Sequence, residues 1–303
     1  MKLSAVVVWF NPDEKCIENL RTYHPYVERI YVIDNSESDN SDMLAKISNI
    51  VYIPNFENKG IAVALNQGCE RALSDGFDWC MTMDQDSSWE KDELGKYFTL
   101  VGENSNDSMN VSFATSAQYV VIPNVCSDIK HFLLKITGKP RIKIAGCPTY
   151  SMVSCDRVIT SGNIINLFAW KKVGKFYEPF FIDEVDHEFC YRLRENGFSI
   201  IQFPQVQMNH VLGVQKKTFW QCDLNHHKKR LYYIFRNSLC LKNMHHEYFK
   251  RLNYKKHLCK ICLDIFLTAH LMDFFYVVQG ISDALKNRMG KYEHWHKQCL
   301  RNK

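Results

Sequence analysis

The sequence predicts an α/β fold: a mostly parallel central sheet flanked by helices, with a helical appendage at the C-terminus. Three observations predict it. Strand-like apolar runs alternate with helical apolar spacing through the first hundred residues, the pattern of parallel strands joined by crossover helices. The first run, residues 3–10, is apolar and β-branched along its length, as a strand covered on both faces requires. Polar clusters follow three of the runs, at the strand ends where such sheets bind ligands.

The elements follow in order. After the first strand, Asn11-Pro12-Asp13 caps a segment whose Ile17, Leu20 and Tyr23 have helical spacing. Residues 30–33 form a second strand, broken by Asp34-Asn35-Ser36, and residues 50–53 a third, ended by Pro54. Residues 60–73 read as a helix with Ile61, Ala64, Leu65, Gly68 and Ala72 on one stripe. Residues 77–83 are a fourth strand running into Asp84-Gln85-Asp86. Beyond it come a helix over 90–101, a polar loop over 104–110 and strand-like residues over 111–122. Residues 123–154 have mixed β character and no order that the sequence fixes. A turn at 160–163 precedes an apolar run over 164–168, a helix after Asp183 ends at Gly197, and a strand over 200–203 is closed by Pro204.

Charge divides the chain. Residues 1–215 hold 20 Lys and Arg against 27 Asp and Glu, a net of −7, and residues 216–303 hold 18 against 6, a net of +12. A basic tail on an acidic body suits an anionic partner. Aromatic residues in the tail do not interleave with basic ones as a stacking platform for nucleic acid requires, so an anionic membrane surface is the better partner. The apolar segment 257–278 is interrupted by Asp264, His270 and Asp273 and is too broken to span a bilayer. It suits an interfacial helix pair or a hairpin packed on the body equally well. The twelve cysteines are scattered and several sit in apolar runs, which points to a reducing cytosol rather than a disulfide framework. Cys259 and Cys262 read as two buried thiols on one helix face. The short run at 3–10 is not a signal peptide.

Two acidic clusters carry the chemistry. Asp84 and Asp86 close a buried strand, where carboxylates are costly unless a cation holds them, and a hard divalent ion is the natural one. Asp183, Glu184, Asp186 and Glu188 fall within six residues, more than helix capping needs. A carboxylate held there against an apolar wall suits a general base. There is no G-x-G-x-x-G after the first strand and no G-x-x-x-x-G-K-[ST], so neither dinucleotide nor P-loop chemistry is supported.

The order of these parts resembles a known family. Asn11-Pro12 ends the first strand, Asp34-Asn35-Ser36 follows the second, and Asn58-Lys59-Gly60 leads a helix containing Asn66-Gln67-Gly68. Asp84-Gln85-Asp86-Ser87, Ser161-Gly162, Phe181-Ile182-Asp183, Val185-Asp186, Asn209-His210 and Arg230 follow, then Tyr232-Tyr233 and Arg236-Asn237. The chain is similar to family 2 glycosyltransferases of the GT-A fold, and within them to the rhamnosyltransferase-like branch that builds bacterial surface polysaccharides. The similarity runs from about residue 3 to 240, with a weaker echo over residues 280–291.

The resemblance implies inverting sugar transfer from a nucleoside diphosphate sugar to a glycan or lipid-linked acceptor, with Mg²⁺ or Mn²⁺. It assigns the metal to Asp84, Asp86 and His210, and the donor to Asn11, Asp34, Asn58, Gly60, Asn66, Asp84, Arg230 and Arg236. Asp186 is the expected base, with Asp183 its rival. The Rossmann-like sheet would make residues 1–215 the catalytic domain, with a nucleotide half over about 1–110 and an acceptor half over about 111–215. Residues 216–303 would be a basic helical region at the inner face of the cell membrane, and the protein cytoplasmic and able to form a homo-oligomer. The first expected donor is dTDP-rhamnose, ahead of UDP-hexoses. Two rivals are a sugar nucleotidyltransferase and a non-catalytic scaffold of polysaccharide assembly. Asn11-Pro12-Asp13 stands where the first would need a glycine-rich basic loop, and intact acidic motifs argue against the second.

Overall fold

The polar cluster after the first strand both ends that strand and starts the helix behind it. The computed structural model describes residues 1–90, 92–119, 152–210, 228–249 and 271–292. β1 (Leu3–Trp9) leads to α1 (Glu14–Tyr23). The Asp13 carboxylate accepts from the Cys16 amide at 3.2 Å and so satisfies one of the amides that a helix start leaves open. β2 (Arg29–Asp34), β3 (Ile50–Pro54), α2 (Ile61–Ser74) and β4 (Trp79–Asp84) follow. The two-residue β5 (Ser87–Ser88), α3 (Glu93–Asn104), β6 (Asn110–Tyr119), β7 (Val153–Ser154) and β8 (Asn163–Asn166) continue the chain. Then come α4 (Leu167–Val173), α5 (Val185–Glu195), β9 (Ser199–His210), α6 (Lys228–Met244), the short α7 (His246–Phe249) and α8 (Leu271–Leu285).

The sheet runs β3-β2-β1-β4-β8-β6-β9-β5, with β7 paired to β9. Its first half, β3 to β4, is parallel throughout. β8 is antiparallel to both β4 and β6, and β6 and β9 are again parallel. The first half of the sheet thus has the expected parallel order, and the second half is mixed. β1 alternates its side chains between two cores: Val6 faces one, and Ala5, Val7 and Trp9 face the other.

Three local expectations change. The apolar run at 164–168 is split: Asn166 caps a helix, its side-chain oxygen accepting from the Ala169 amide at 2.9 Å, so the strand stops there. Asp183 and Asp186, whose spacing of three would put them on one face of a helix, are not on one helix: α5 starts at Val185 and Asp183 precedes it. Pro204 does not close its strand. Phe203 pairs with Thr115 and Gln207 with Ser116, so the residues between bulge out and β9 resumes. Proline lacks the N–H a ladder needs and is tolerated at such a bulge. The extension carries β9 to His210, opposite Ser87.

The described part of the C-terminal region is helical, with α6 packed against α8. Among the described residues no helix is long and apolar enough to cross a membrane. Cys259, Cys262 and most of the 257–278 segment lie outside the described residues, as do residues 123–151. Six cysteines are described, and all are free thiols.

A buried ionic cluster ties α6 to α5. Glu188 is fully buried and accepts from Arg192 Nε and Nη2 at 2.5 and 2.7 Å. His245 pairs through Nδ1 with Glu195 at 2.7 Å, and its Nε2 lies 3.6 Å from Glu188. Burial pushes the His245 pKa down, but the bonds to Glu188 and Glu195 outweigh it and the net direction is up. A histidine raised on folding stabilises fully below about pH 6.5, its unfolded value, and loses that contribution as pH rises through the higher folded value. The gap in melting temperature between wild type and His245→Gln is therefore expected to be wide at pH 6 and to narrow by pH 9. A gap that does not change with pH would contradict the assignment.

Candidate active site

The site is built where the parallel strands end. Asp34, at the end of β2, is 1% exposed. One of its oxygens accepts from the Ser36 amide and hydroxyl at 2.8 and 2.5 Å, the other from Asn40 Nδ2 at 2.7 Å and Tyr52 hydroxyl at 2.9 Å. Four donors fill the acceptor capacity of a carboxylate. Asp34 therefore fixes the loop after β2, and the Asn11 amide joins the same network by donating to Ser36 Oγ at 2.7 Å. Asn11 itself is exposed, with φ 48°.

The acidic motif lies at the next strand end. Asp84, Asp86 and His210 each offer a ligand atom, and these atoms all lie within 4.8 Å of one another. His210 Nδ1 is 2.7 Å from Ser87 Oγ and 3.4 Å from Asp86, which orients the ring. Two carboxylates and an imidazole form a donor set that suits a divalent cation. The electrostatics agree. Burial, reinforced by the neighbouring charges of Asp86 and Asp186, pushes the Asp84 carboxyl up to about 7, against the pull of Arg230. Burial also raises Asp86, against His210 and Arg230. Carboxylates crowded and desolvated in this way gain from a cation.

Backbone contacts hold the motif in place. The Asp84 amide donates to Ser161 Oγ at 3.1 Å. Gln85, between the two acids, accepts from the Phe10 amide at 2.7 Å and donates to the Phe10 carbonyl at 3.2 Å. Its side-chain amide thus pairs with the main chain just past β1 as a neighbouring strand would.

The second acidic cluster sits on strained backbone. Phe181, Asp183 and Glu184 have φ of 67°, 63° and 62°, and none is glycine. Such conformations cost on the order of 1 kcal/mol or more each and persist where the surroundings enforce them. Asp183 is paired with Arg230, whose Nε lies 3.0 and 3.2 Å from its two oxygens. Burial raises the Asp183 pKa in spite of that guanidinium. Asp186 sits in the first turn of α5, half-buried. Among the described residues the hydrogen bond recorded for its side chain comes from the His187 amide at 2.9 Å. Its charge is among those that raise Asp84, so it lies within electrostatic reach of the first cluster.

The structure brings Asp84, Asp86, His210, Asp183, Asp186 and Arg230 together, and gives four other residues different work. Arg236 is fully buried and is not placed to clamp a phosphate: it donates to the carbonyls of Pro179, Phe180 and Gly290 at 3.2, 2.9 and 2.6 Å. Asn66 is likewise buried away from a ligand. It exchanges hydrogen bonds with the Phe176 main chain at 2.9 and 3.0 Å and donates to Glu178 at 2.9 Å. Gly60 serves a close approach: a Cβ at this position, where φ is 89°, would lie 2.6 Å from the Phe181 carbonyl oxygen. Asn58 steadies that turn by accepting from the Gly60 amide at 3.0 Å. Ser161, Gln85 and Asn237 were not singled out from the sequence for any role. Their contacts are to distant main chain, and the only signal for each is its place in a motif of the resemblance.

Comparison with known proteins agrees with this architecture. The family model described as glycosyl transferase family 2 matches residues 14–133. The chain is 29% identical over 250 residues to the dTDP-rhamnosyl transferase RfbF of Shigella flexneri, covering 80% of each protein. Among solved structures it is similar in fold to S. aureus TarS 1-349 in complex with UDP-GlcNAc, with TM-score 0.58 and 12% identity over 94% of this chain and 81% of that one. It is also similar to GalNAc-T7 with UDP, GalNAc and Mn²⁺, with TM-score 0.57 and 10% identity over 80% of this chain. The chain spans about half, 48%, of that structure's length. A mixed sheet with flanking helices, one acidic cluster at a strand end and a second at a helix start, and these similarities together support a glycosyltransferase-like chain that resembles family 2, with a rhamnosyltransferase among the proteins it is similar to.

Proposed function

We infer that this protein transfers a sugar with inversion from a nucleoside diphosphate donor, first dTDP-rhamnose, to a hydroxyl of a glycan or lipid-linked acceptor in polysaccharide synthesis. The observation that carries the reading is the gathering of Asp84, Asp86 and His210 within 4.8 Å beside a separate half-buried carboxylate, Asp186. The similarity to the dTDP-rhamnosyl transferase of Shigella flexneri supports the donor.

The roles follow from charge and contact. Asp84, Asp86 and His210 would hold Mg²⁺ or Mn²⁺, which when bound supplies positive charge against the leaving diphosphate. Arg230 stands beside the same carboxylates, lowering the pKa of both Asp84 and Asp86, and adds fixed positive charge on the protein side. Asp186 takes the proton from the acceptor hydroxyl as that oxygen attacks the anomeric carbon from the face opposite the diphosphate. Asp183, held by two hydrogen bonds from Arg230 Nε, is the weaker base because its oxygens are already engaged. The net charge of +12 over residues 216–303 supports an acceptor carried on an anionic membrane surface.

A thermal-shift series with Mn²⁺ and dTDP-rhamnose, UDP-GlcNAc, UDP-glucose and UDP-galactose tests the reading. A rise in melting temperature of several degrees is expected with dTDP-rhamnose, well above that with the UDP-sugars. If none of the donors shifts the protein, the transferase reading fails and a scaffold role takes its place. Release of pyrophosphate from a nucleoside triphosphate and a sugar phosphate would identify a nucleotidyltransferase instead.

A further inference from the structure

We propose that Arg236 and Asn237 of α6 are positioning residues for the proposed transfer: they hold the strained segment 180–184 in the conformation that presents Asp183 and Asp186 to the donor site. The proposal rests on the reading above for what those carboxylates do, but not for the geometry.

The geometry is unusual in where the donors go. Asn237 Nδ2 lies 3.0, 2.7 and 2.9 Å from the carbonyl oxygens of Phe180, Ile182 and Asp183. One amide thus gathers three carbonyls of a four-residue stretch. The orientation of that amide is not arbitrary. Arg236 Nε lies 2.9 Å from Asn237 Oδ1, and a guanidinium can only donate. The carbonyl end of the Asn237 side chain must therefore face Arg236, and the NH₂ end must face the loop. Arg236 itself is fully buried, with its other donors on Pro179, Phe180 and Gly290. A buried guanidinium with its charge spread over carbonyl oxygens is a fixed strut rather than a ligand-binding group.

The strut faces a loop that would not hold its shape alone. Phe181, Asp183 and Glu184 all have positive φ, so their carbonyls turn in directions that ordinary turns do not use. From the other side the Ile61 amide donates to the Phe181 carbonyl at 2.7 Å, and Gly60 leaves the room for that approach. Residues 230 and 237 are seven apart, two helical turns, and share one face of α6. Along that face Arg230 binds the Asp183 carboxylate, Asn237 binds the backbone, and Ser238 donates to Glu184 at 3.1 Å. One helix face thus fixes the main chain and two side chains of the acidic segment. The C-terminal region is in this respect part of the site: the Gly290 amide donates to Pro179 at 2.8 Å, and Lys291 Nζ reaches the Asn58 carbonyl at 3.2 Å.

Asn237→Ala and Asn237→Asp test the proposal. Aspartate keeps the size but turns two donors into acceptors facing three carbonyls. For both variants kcat is expected to fall about 100-fold, the scale of a misplacement of about 1 Å at a reacting group. The Kd for dTDP with Mn²⁺ is expected to stay within about twofold of wild type, because the proposed metal ligands Asp84, Asp86 and His210 lie on other elements. Hydrogen exchange at 180–186 should quicken in both variants while β1 and β4 remain protected. Adding Glu184→Gly to Asn237→Ala should restore about tenfold of the lost kcat, since glycine takes positive φ without a clamp, and it keeps the test open if the single variant folds poorly. Unchanged kcat with unchanged exchange, or a Kd that weakens in step with kcat, would overturn the proposal. If wild type itself transfers no sugar, the transferase reading fails, and the exchange comparison still decides the clamp.

Discussion

Replacing Asp186 by asparagine is expected to lower transfer by about 10³-fold, within the range a general base contributes, while donor affinity changes by less than about threefold. Asparagine keeps the size of the side chain and its acceptor for the His187 amide, a contact of 2.9 Å in the native protein, but it cannot take a proton. In the proposed reading the donor is held mainly through Asp84, Asp86 and His210, which this change does not touch. Steady-state release of dTDP and a titration of dTDP with Mn²⁺ supply both readings. Asp183→Asn is the control. It frees Arg230 from its 3.0 Å contact and should disturb the loop more than the chemistry. Near-normal turnover in Asp186→Asn alongside an inactive Asp183→Asn would move the base to Asp183.

Removing the proposed metal is expected to give the second large effect. Treatment with EDTA, or Asp86→Ala, is expected to reduce transfer about 10²–10³-fold, and Mn²⁺ or Mg²⁺ should restore the chelated wild type but not the variant. The physical reason lies in Asp84, whose carboxyl is pushed up to about 7 by burial and by the charges of Asp86 and Asp186. A carboxyl raised on folding stabilises the fold fully below its unfolded value near 4, and that contribution is lost as pH rises through about 7. A cation offsets the repulsion among the ionised carboxylates, and it must displace any proton that Asp84 carries. Mn²⁺ should therefore raise the melting temperature more at pH 8 than at pH 6. Equal stabilisation at both values, with full activity in a chelated sample, would remove the metal from Asp84 and Asp86.

The sheet and the two acidic clusters were legible because both depend on local pattern. Residues 3–10, 30–33, 50–53 and 77–83 carry the apolar runs of buried strands, and in a parallel sheet the strand ends on one edge necessarily meet. Asp34, Asp84 and Asp86 were placed at that edge for this reason. His210 was placed by resemblance alone, because its path crosses Pro204, which reads as a strand end. Only the paired register shows the bulge that carries β9 on to Ser87.

The sequence by itself determined which carboxylates the site contains, since strand ends and charge spacing are properties of the chain read in order. The tertiary structure decided which of them are bound by other residues and which remain for chemistry. Asp34 is saturated by Ser36, Asn40 and Tyr52, and Asp183 is held by Arg230. Arg236 and Asn66, polar residues that look available in the sequence, are spent on main-chain carbonyls and amides. A side chain's function depends on the partners that reach it, and for Asp183, Arg236 and Asn66 those partners lie from 47 to 110 residues away, where no local spacing could show them.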